Sequence, residues 1–285
     1  MPKWSKRRRS HGRTLTVATS CVIAGRYAPD VPDALSLARD LVASSHKIVF
    51  LTGAGISTAA GIPDYRGPDG VWTKNPGAER RSHIDTWISD PDAREAGWQR
   101  RLHTAWDRVV PTAAHDAITQ LAATTRVSLV VTQNIDGLHQ RSGLDRNLLV
   151  EIHGTVHDSI CLTCEKVSPI GPTLERVAAG ELDPHCLEEH PDVCGGILKA
   201  ATISFGQSLR TDDLNRSCDA TDDADLFIAI GTTLTVFPVA GLVPRAADRD
   251  IPIIIVNGSP TDMDHFATVV LDGDINDVVP QLLAL

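Results

Sequence analysis

The sequence predicts a doubly wound α/β fold with a second, smaller domain. The main evidence is a set of four short, continuous apolar runs, which are typical of parallel strands buried on both faces of a sheet. The runs cover residues 47–51, 128–131, 225–230 and 253–256. Helical segments separate them, at about residues 33–45, 115–124, 239–247 and 275–283. This alternation predicts a parallel sheet with helices on both faces.

The length and composition fit this fold class. The chain has 285 residues, of which 42% are apolar and 22% charged, as in ordinary globular domains. These values exclude a mainly disordered chain, and six cysteines are too few for a disulfide scaffold. The apolar runs are too short to cross a bilayer, so we expect no membrane partner.

Charge is distributed unevenly along the chain. The first thirteen residues contain six basic residues and no acidic residue. Because the whole chain has a net charge of −9, the remainder carries −15, which argues against a nucleic-acid partner. We interpret residues 1–31 as a basic, disordered tail. The weak hydrophobicity after the basic run favours a cytoplasmic protein over an exported one.

Two segments interrupt the alternation of strands and helices. Residues 68–111 are rich in Trp, Arg and Asp, whereas residues 157–200 hold four cysteines and few apolar residues. We interpret the first segment as a helical insertion and the second as a zinc-binding insertion, and expect the two to form the small domain. The large domain then comprises residues 32–67, 112–156 and 201–285.

Each predicted strand ends in a polar or glycine-rich turn. In doubly wound sheets, ligands bind outside the carboxyl ends of the strands, so the turns predict one shared crevice. In strand order, the turn residues are Gly53, Ala54, Gly55 and Ser57; Gln133, Asn134, Ile135 and Asp136; Gly231, Thr232 and Thr233; and Asn257, Gly258 and Ser259.

The glycine turn after the first strand allows two interpretations. Glycines before a helix can accommodate the phosphates of a dinucleotide, but tight turns also use glycine for steric reasons alone. The dehydrogenase pattern is incomplete, because Thr58 occupies the position of its third glycine. The sequence contains no P-loop pattern, which excludes a P-loop NTPase.

Four cysteines in the second insertion predict a structural zinc site. They are Cys161, Cys164, Cys186 and Cys194. The first pair has the tight spacing of a zinc knuckle, and the second pair is more widely spaced. Four thiolates close the coordination shell, so the metal would stabilise the fold rather than react. Alternatively, His185 or His190 could replace one sulfur.

A candidate general base follows the apolar residues 148–150. Histidine is the side chain best suited to exchange a proton near neutral pH, and His153 lies just ahead of the zinc segment. Three other histidines compete for this role: His115, His139 and His157.

Taken together, these segments resemble the sirtuins, the NAD-dependent protein-lysine deacylases, and in particular their bacterial members. The shared motifs are GAGISTAAGIPDYRG at 53–67, TQNIDGLH at 132–139, EIHG at 151–154, the cysteine pairs, FGQ at 205–207, GTTLTVFP at 231–238 and the run ending at Asn257. The resemblance implies a Rossmann-like NAD-binding domain, a zinc-ribbon and helical small domain, and NAD between them. The implied reaction removes acetyl or other acyl groups from protein lysines and gives nicotinamide, O-acyl-ADP-ribose and free lysine.

The resemblance also implies roles for individual residues. The implied catalytic residues are His153, acting as general base, Asn134 and Asp136. NAD would be bound by the four turns and by a mobile loop that contains Asp64, Tyr65 and Arg66. An acylated peptide would lie as an added strand near Phe205, Gly206 and Val236.

The resemblance also bears on the acyl group. Desuccinylating relatives carry a Tyr-x-x-Arg pair, and here Trp98 stands in the place of the tyrosine, three residues before Arg101. Because an indole cannot reproduce the hydrogen bond of a phenol, we expect acetyl or a longer apolar chain rather than an acidic one.

Three alternative functions stay open. The same chemistry could transfer ADP-ribose to a protein, or the chain could bind NAD without turnover as an NAD-responsive module. The zinc segment could also bind nucleic acid, although residues 175–195 contain six acidic residues and a single arginine. The sequence does not indicate an oligomeric state.

Overall fold

The computed structural model describes residues 33–67, 70–75, 77–104, 106–189 and 192–284. The predicted basic tail, residues 1–31, therefore lies outside the described residues. Within the described ranges, no helix is both long enough and apolar enough to cross a membrane.

Nine strands occur among the described residues, and six of them form one parallel sheet. In chain order they are β1 (Ile48–Thr52), β2 (Val127–Thr132), β3 (Leu149–Glu151), β4 (Gly154–Cys161), β5 (Val167–Pro169), β6 (Leu198–Thr202), β7 (Leu226–Ile230), β8 (Ile253–Asn257) and β9 (Val269–Asp272). The large sheet has the order β3-β2-β1-β7-β8-β9, and each neighbouring pair is parallel. This confirms the predicted doubly wound sheet, and the four predicted strands agree with the observed ones to within one residue at each end.

The described part of the chain also contains eleven α-helices. They are α1 (Ala34–Ser44), α2 (Val71–Lys74), α3 (Gly77–Arg81), α4 (Ile84–Ser89), α5 (Pro91–His103), α6 (Ala113–Ala122), α7 (Leu138–Arg141), α8 (Gly171–Ala178), α9 (Thr211–Asp222), α10 (Leu242–Ala247) and α11 (Ile275–Leu283). The predicted helical segments correspond to α1, α6, α10 and α11. Two of these begin at an aspartate whose carboxylate accepts a main-chain N–H of the first turn, Asp33 for α1 and Asp274 for α11.

Apolar side chains cover both faces of the large sheet. One face packs against α1, α6 and α11, and the other packs against α9 and α10. Every residue of β1 and β7 is buried, because successive side chains of a strand point to opposite faces and both faces are covered here. Burial of each aliphatic side chain contributes about 2 kcal/mol, which explains why these strands are continuously apolar.

The two insertions meet in a small module. Its sheet is antiparallel, with the order β5-β4-β6, and α5 packs against α8 beside it. Arg94 of α5 is 5% exposed. Its guanidinium donates to Asp183 at 2.7 Å and to the carbonyl oxygens of Trp87 and Ile88. This ion pair, buried on the Arg94 side, ties the helical insertion to the zinc segment.

Candidate active site

The chemistry-bearing turns meet where the winding of the large sheet changes direction. β1 lies between β2 and β7, so the chain leaves the first strand on one side and returns on the other. A cleft of about 1280 Å³ opens there, at the carboxyl ends of the strands, and residues from all four predicted turns line it. In doubly wound folds, ligands bind outside the carboxyl ends of the strands, at the point where the strand order reverses.

The glycine turn is tightly packed against the turn after β7. A Cβ atom on Gly53 would lie 2.7 Å from the carbonyl oxygen of Gly231, and one on Gly55 would lie 2.8 Å from the Gly231 Cα. Gly231 itself has a φ of +63°, which favours glycine. The packing alone therefore requires glycine at positions 53 and 55. Beyond them, residues 54–60 form a 3₁₀ helix whose first residue, Ala54, lines the cleft.

Asn134 is the centre of a buried hydrogen-bond network. Its side-chain amide donates to the carbonyl oxygen of Gly53 at 3.0 Å and to the hydroxyl of Ser57 at 3.1 Å. Ser57 in turn donates to a carboxylate oxygen of Asp136 at 2.8 Å, and the other oxygen of Asp136 accepts the main-chain N–H of Leu138. The network joins the turn after β2 to the turn after β1.

Asp136 and Ser57 line a second, smaller pocket beside the cleft. Its volume is about 30 Å³, and Ala54, Asn134 and Ile135 line both cavities. Burial raises the pKa of Asp136, and its hydrogen bonds from Leu138 and Ser57 oppose that rise. The pocket thus presents a carboxyl group and an amide to any planar polar group that enters it.

His153 is the histidine that faces the cleft. It follows β3, and its Nδ1 lies 3.1 Å from the carbonyl oxygen of Gln133. Because a carbonyl can only accept, Nδ1 carries the proton and Nε2 keeps a lone pair. Burial lowers the pKa of His153, although the bond to Gln133 raises it in part. The ring is therefore held neutral and able to accept a proton through Nε2.

The three competing histidines lie elsewhere. His115 and His139 are at most 1% exposed and contact each other beneath the turns. His157 contacts the main-chain carbonyl of Asp136 through Nε2 at 2.9 Å. Of the four candidates, His153 is the one that lines the cleft.

The remaining cofactor-site predictions also fall on the cleft. Gln133 donates from its amide to the hydroxyl of Thr232 at 2.9 Å, which links the turns after β2 and β7. The other predicted residues that line the cleft are Ile135, Asp64, Tyr65, Arg66, Thr233, Asn257, Gly258 and Ser259. Arg66 lies 4.5 Å above the ring of Trp72, so the loop packs on an aromatic side chain.

Phe205, Gly206 and Val236 lie at another part of the cleft. The main chain of Phe205 is already paired with the helical insertion: its N–H donates to Ser82 and its carbonyl accepts from Ile84, at 3.0 and 2.9 Å. An added strand at Phe205 itself therefore lacks main-chain groups to bond. The ring of Phe205 packs against Trp72 at 5.4 Å between centroids.

The four cysteines form the cluster expected of a zinc site. Their Sγ atoms all lie within 4.8 Å of one another, and both the Cys161–Cys194 and Cys164–Cys186 pairs are 3.7 Å apart. A tetrahedral zinc ion with Zn–S bonds of about 2.3 Å requires sulfurs about 3.8 Å apart, so the four thiols fit this metal. Nδ1 of His185 donates to the carbonyl oxygen of Gly195 at 2.7 Å, and His190 lies outside the described residues.

Comparisons with known proteins agree with this site. Residues 53–238 match the model of the Sir2 family, which is more than half of the chain. The chain belongs to the Sir2 family. Among curated Sir2 relatives, the NAD-dependent protein deacetylase 2 of Streptomyces coelicolor is 39% identical over 236 residues, with 83% of this chain and 96% of that protein covered. The NAD-dependent protein deacetylase of Rhodopseudomonas palustris is 35% identical, with coverages of 88% and 97%.

Solved Sir2 structures show the same fold. One holds a Sir2 variant with a deacetylated p53 peptide and 3′-O-acetyl-ADP-ribose. It is 30% identical, with a TM-score of 0.76, and the match covers 86% of this chain and 95% of that one. Another, a Sir2–p53 peptide–NAD⁺ complex, is 30% identical with a TM-score of 0.73 over 86% and 95% of the two chains.

The Sir2 cleft of this chain has a cationic wall that the sequence analysis missed. Lys199 of β6 lines the cleft with Arg81, Arg100 and Arg101, and Lys199 is 3% exposed. Burial and, to a smaller extent, a neighbouring cation lower the pKa of Lys199 to about 7 and that of Arg101 to about 10. Within the described chain, none of the four has a carboxylate partner. In the sequence, the one indication of this wall is a single lysine, Lys199, within the largely apolar stretch 197–203.

Trp98 does not contribute to that wall. Its side chain is fully buried and packs with Cys161, Val177 and Cys186 in the core of the small module. The residue before it, Gly97, lines the cleft instead. The replacement of tyrosine by tryptophan therefore changes the module core rather than the cleft surface.

Proposed function

We propose that this chain is an NAD-dependent deacylase of protein lysines. The observation that carries the proposal is the setting of His153. Its Nδ1 proton is held by the carbonyl of Gln133, its Nε2 is left to accept a proton, and it lines the same cleft as the Gln133–Asn134 turn. The expected products are free lysine, nicotinamide and O-acyl-ADP-ribose. Membership of the Sir2 family and the curated names of its relatives support this reaction.

The proposed cofactor site follows the four turns. Gly53, Ala54, Gly55 and Ser57 would hold the dinucleotide phosphates, and the main-chain N–H of Ala54, at the start of the 3₁₀ helix, suits an anion. Residues 231–233 and 257–259 would contact the adenosine half. Asp64, Tyr65 and Arg66 would close over the bound molecule. When bound, NAD supplies the group that accepts the acyl chain.

Three side chains would carry the chemistry. Asn134 and Asp136 would orient the nicotinamide amide, because the carboxylate of Asp136 in the small pocket can accept its N–H groups and Asn134 holds the turn in place. His153 would take a proton from a ribose hydroxyl through Nε2. Tyr65, at the rim, would help to exclude water, which otherwise hydrolyses NAD.

We place the acylated peptide between Gly206 and Val236. The main chain of Phe205 is already bonded to the helical insertion, so Phe205 would contribute its aromatic ring. The added peptide strand would pair with the main chain of residues next to Phe205. Recognition through main-chain groups predicts weak selectivity for peptide sequence. The four thiols would hold one structural zinc, and their need for a reducing environment supports a cytoplasmic location.

Mass spectrometry of the products tests the proposal. An acetylated peptide incubated with NAD and the zinc-loaded protein should yield unmodified peptide and O-acetyl-ADP-ribose in equal amounts. His153→Ala should lower the rate by about a hundredfold to ten-thousandfold while NAD still binds. ADP-ribosylated peptide in place of these products would favour the transferase, and NAD binding without any product would favour the binding module.

A further inference from the structure

Beneath the Gln133–Asn134 turn lies a buried polar cluster that the proposed chemistry does not use. It consists of two histidines and three threonines, each at most 7% exposed. Its members are Thr52, Thr112, Thr132, His115 and His139. Buried polar side chains lower stability unless they are paired, so their pairing indicates what the cluster does.

One arm of the cluster runs to the main chain of Asn134. The hydroxyl of Thr52 donates to that of Thr132 at 2.9 Å, and Thr132 Oγ1 accepts the Asn134 N–H at 3.1 Å. The only hydroxyl proton of Thr52 is thereby used. The 2.9 Å contact between Thr52 Oγ1 and Nε2 of His139 must then have the ring as donor. His139 is assigned as the Nε2–H tautomer.

The other arm runs to the glycine turn. The main-chain N–H of Thr112 donates to Nδ1 of His115 at 3.2 Å, so the ring proton of His115 is on Nε2. The hydroxyl of Thr112 lies 2.8 Å from that same Nδ1 and 3.0 Å from the carbonyl oxygen of Ile56. Ile56 directly precedes Ser57.

The two arms meet at the histidine rings. Their centroids are 4.7 Å apart, in an edge-on arrangement. Nε2 of His115 and Nδ1 of His139 are buried and have no hydrogen-bond partner among the described residues. By the tautomers above, one is a donor and the other an acceptor, so the two rings are chemically complementary. Burial lowers the pKa of both, to about 4 for His115, which keeps them neutral.

We propose that His115 and His139 are a positioning pair that holds the two turns of the nicotinamide site at a fixed separation. One arm ends at the Asn134 main chain and the other ends beside Ser57. The side chains of those two residues are hydrogen-bonded to each other above the pair. Neither histidine lines the cleft, so the pair acts through the turns. The inference rests on the proposed deacylase function.

Thr52 offers the sharpest test, because it can lose its hydroxyl without losing volume. We expect Thr52→Val to lower the rate of nicotinamide release by about tenfold to a hundredfold, as displacements of about 1 Å do at reacting groups. Peptide affinity and zinc content should not change. Thr52→Ser keeps the hydroxyl and should restore the rate. Thr221→Val is the matched control: Thr221 is fully buried, and its hydroxyl bonds to Ser217 within α9, away from the cleft.

Nuclear magnetic resonance of ¹⁵N-histidine-labelled protein gives an independent readout. The expected spectrum has His139 protonated at Nε2, and this signal should be lost in His139→Leu. His139→Gln keeps a donor at the same place and should retain more activity than His139→Leu. Full activity of Thr52→Val, or a proton on Nδ1 of His139, would overturn the positioning pair. An inactive wild-type protein would overturn the deacylase proposal instead, and the spectra test the pair in either case.

Discussion

Replacing Lys199 with methionine tests whether the cationic wall of the cleft selects the acyl group. Lys199 is 3% exposed, and its Nζ donates to the carbonyl oxygens of Ala200, at 3.0 Å, and Thr202. Arg101 lies near enough to lower its pKa. Among the described residues neither cation has a carboxylate partner; an acyl chain that ends in a carboxylate would supply this anion, whereas acetyl would not. We therefore expect an acidic acyl preference, opposite to the expectation drawn from Trp98.

The magnitude follows from the electrostatics of a buried pair. Two unit charges about 4 Å apart gain about 4 kcal/mol at an effective dielectric constant near 20. Desolvation of the incoming carboxylate offsets part of this gain. A hydrogen bond to a charged group is worth about 1.5–3 kcal/mol net, which corresponds to about a tenfold to hundredfold change in kcat/KM.

The assay compares two peptides that differ only in the lysine modification, acetyl or succinyl. With a pKa of about 7, Lys199 is mostly cationic at pH 6 and mostly neutral at pH 8. The ratio of succinyl to acetyl kcat/KM should therefore fall as pH rises through about 7, because kcat/KM follows the protonation of Lys199 in the free enzyme. Lys199→Met should lose both the preference and its pH dependence. Lys166→Met removes an exposed lysine that does not line the cleft, and should behave as wild type.

Two results would refute this reasoning. One is the same succinyl-to-acetyl ratio in Lys199→Met and wild type at pH 6. The other is a wild-type ratio that does not change between pH 6 and pH 8, because the charge that is proposed to select the acyl group would then not be titrating.

Other expected outcomes concern the small pocket, the metal and the module contact. Asp136→Asn should slow nicotinamide release at least tenfold, measured by chromatography, with peptide affinity unchanged; an equal rate would remove Asp136 from the site. Cys164→Ser or a chelator should release zinc, measured by mass spectrometry, and lower the unfolding temperature. Arg94→Ala leaves Asp183, whose side chain is 23% exposed, without its partner and should lower the unfolding free energy by about 1–3 kcal/mol. In the same denaturant titration, the exposed Lys47→Ala should change it by at most about 1 kcal/mol.

The large sheet and most of the site could be predicted because their signals are local. A strand buried on both faces must be continuously apolar, so β1 and β7 could be recognised from short runs. The edge strand β9 has a buried-exposed alternation and lacks such a run, and α9 is mostly polar, so neither was predicted. The order and spacing of the polar turns, which motif comparison detects without coordinates, led to His153 and the four cysteines.

Sequence alone therefore established the doubly wound class, the shared crevice and the family, since apolar periodicity and motif order are properties of neighbouring residues. Without the family motifs, the sequence could not choose among four histidines. It also could not show that Trp98 is turned away from the cleft while Lys199 and Arg101 line one wall. These outcomes depend on burial, on tautomers and on charges from distant segments brought within a few ångströms. Such quantities arise only when the chain has folded, because they are set by which groups exclude water from one another.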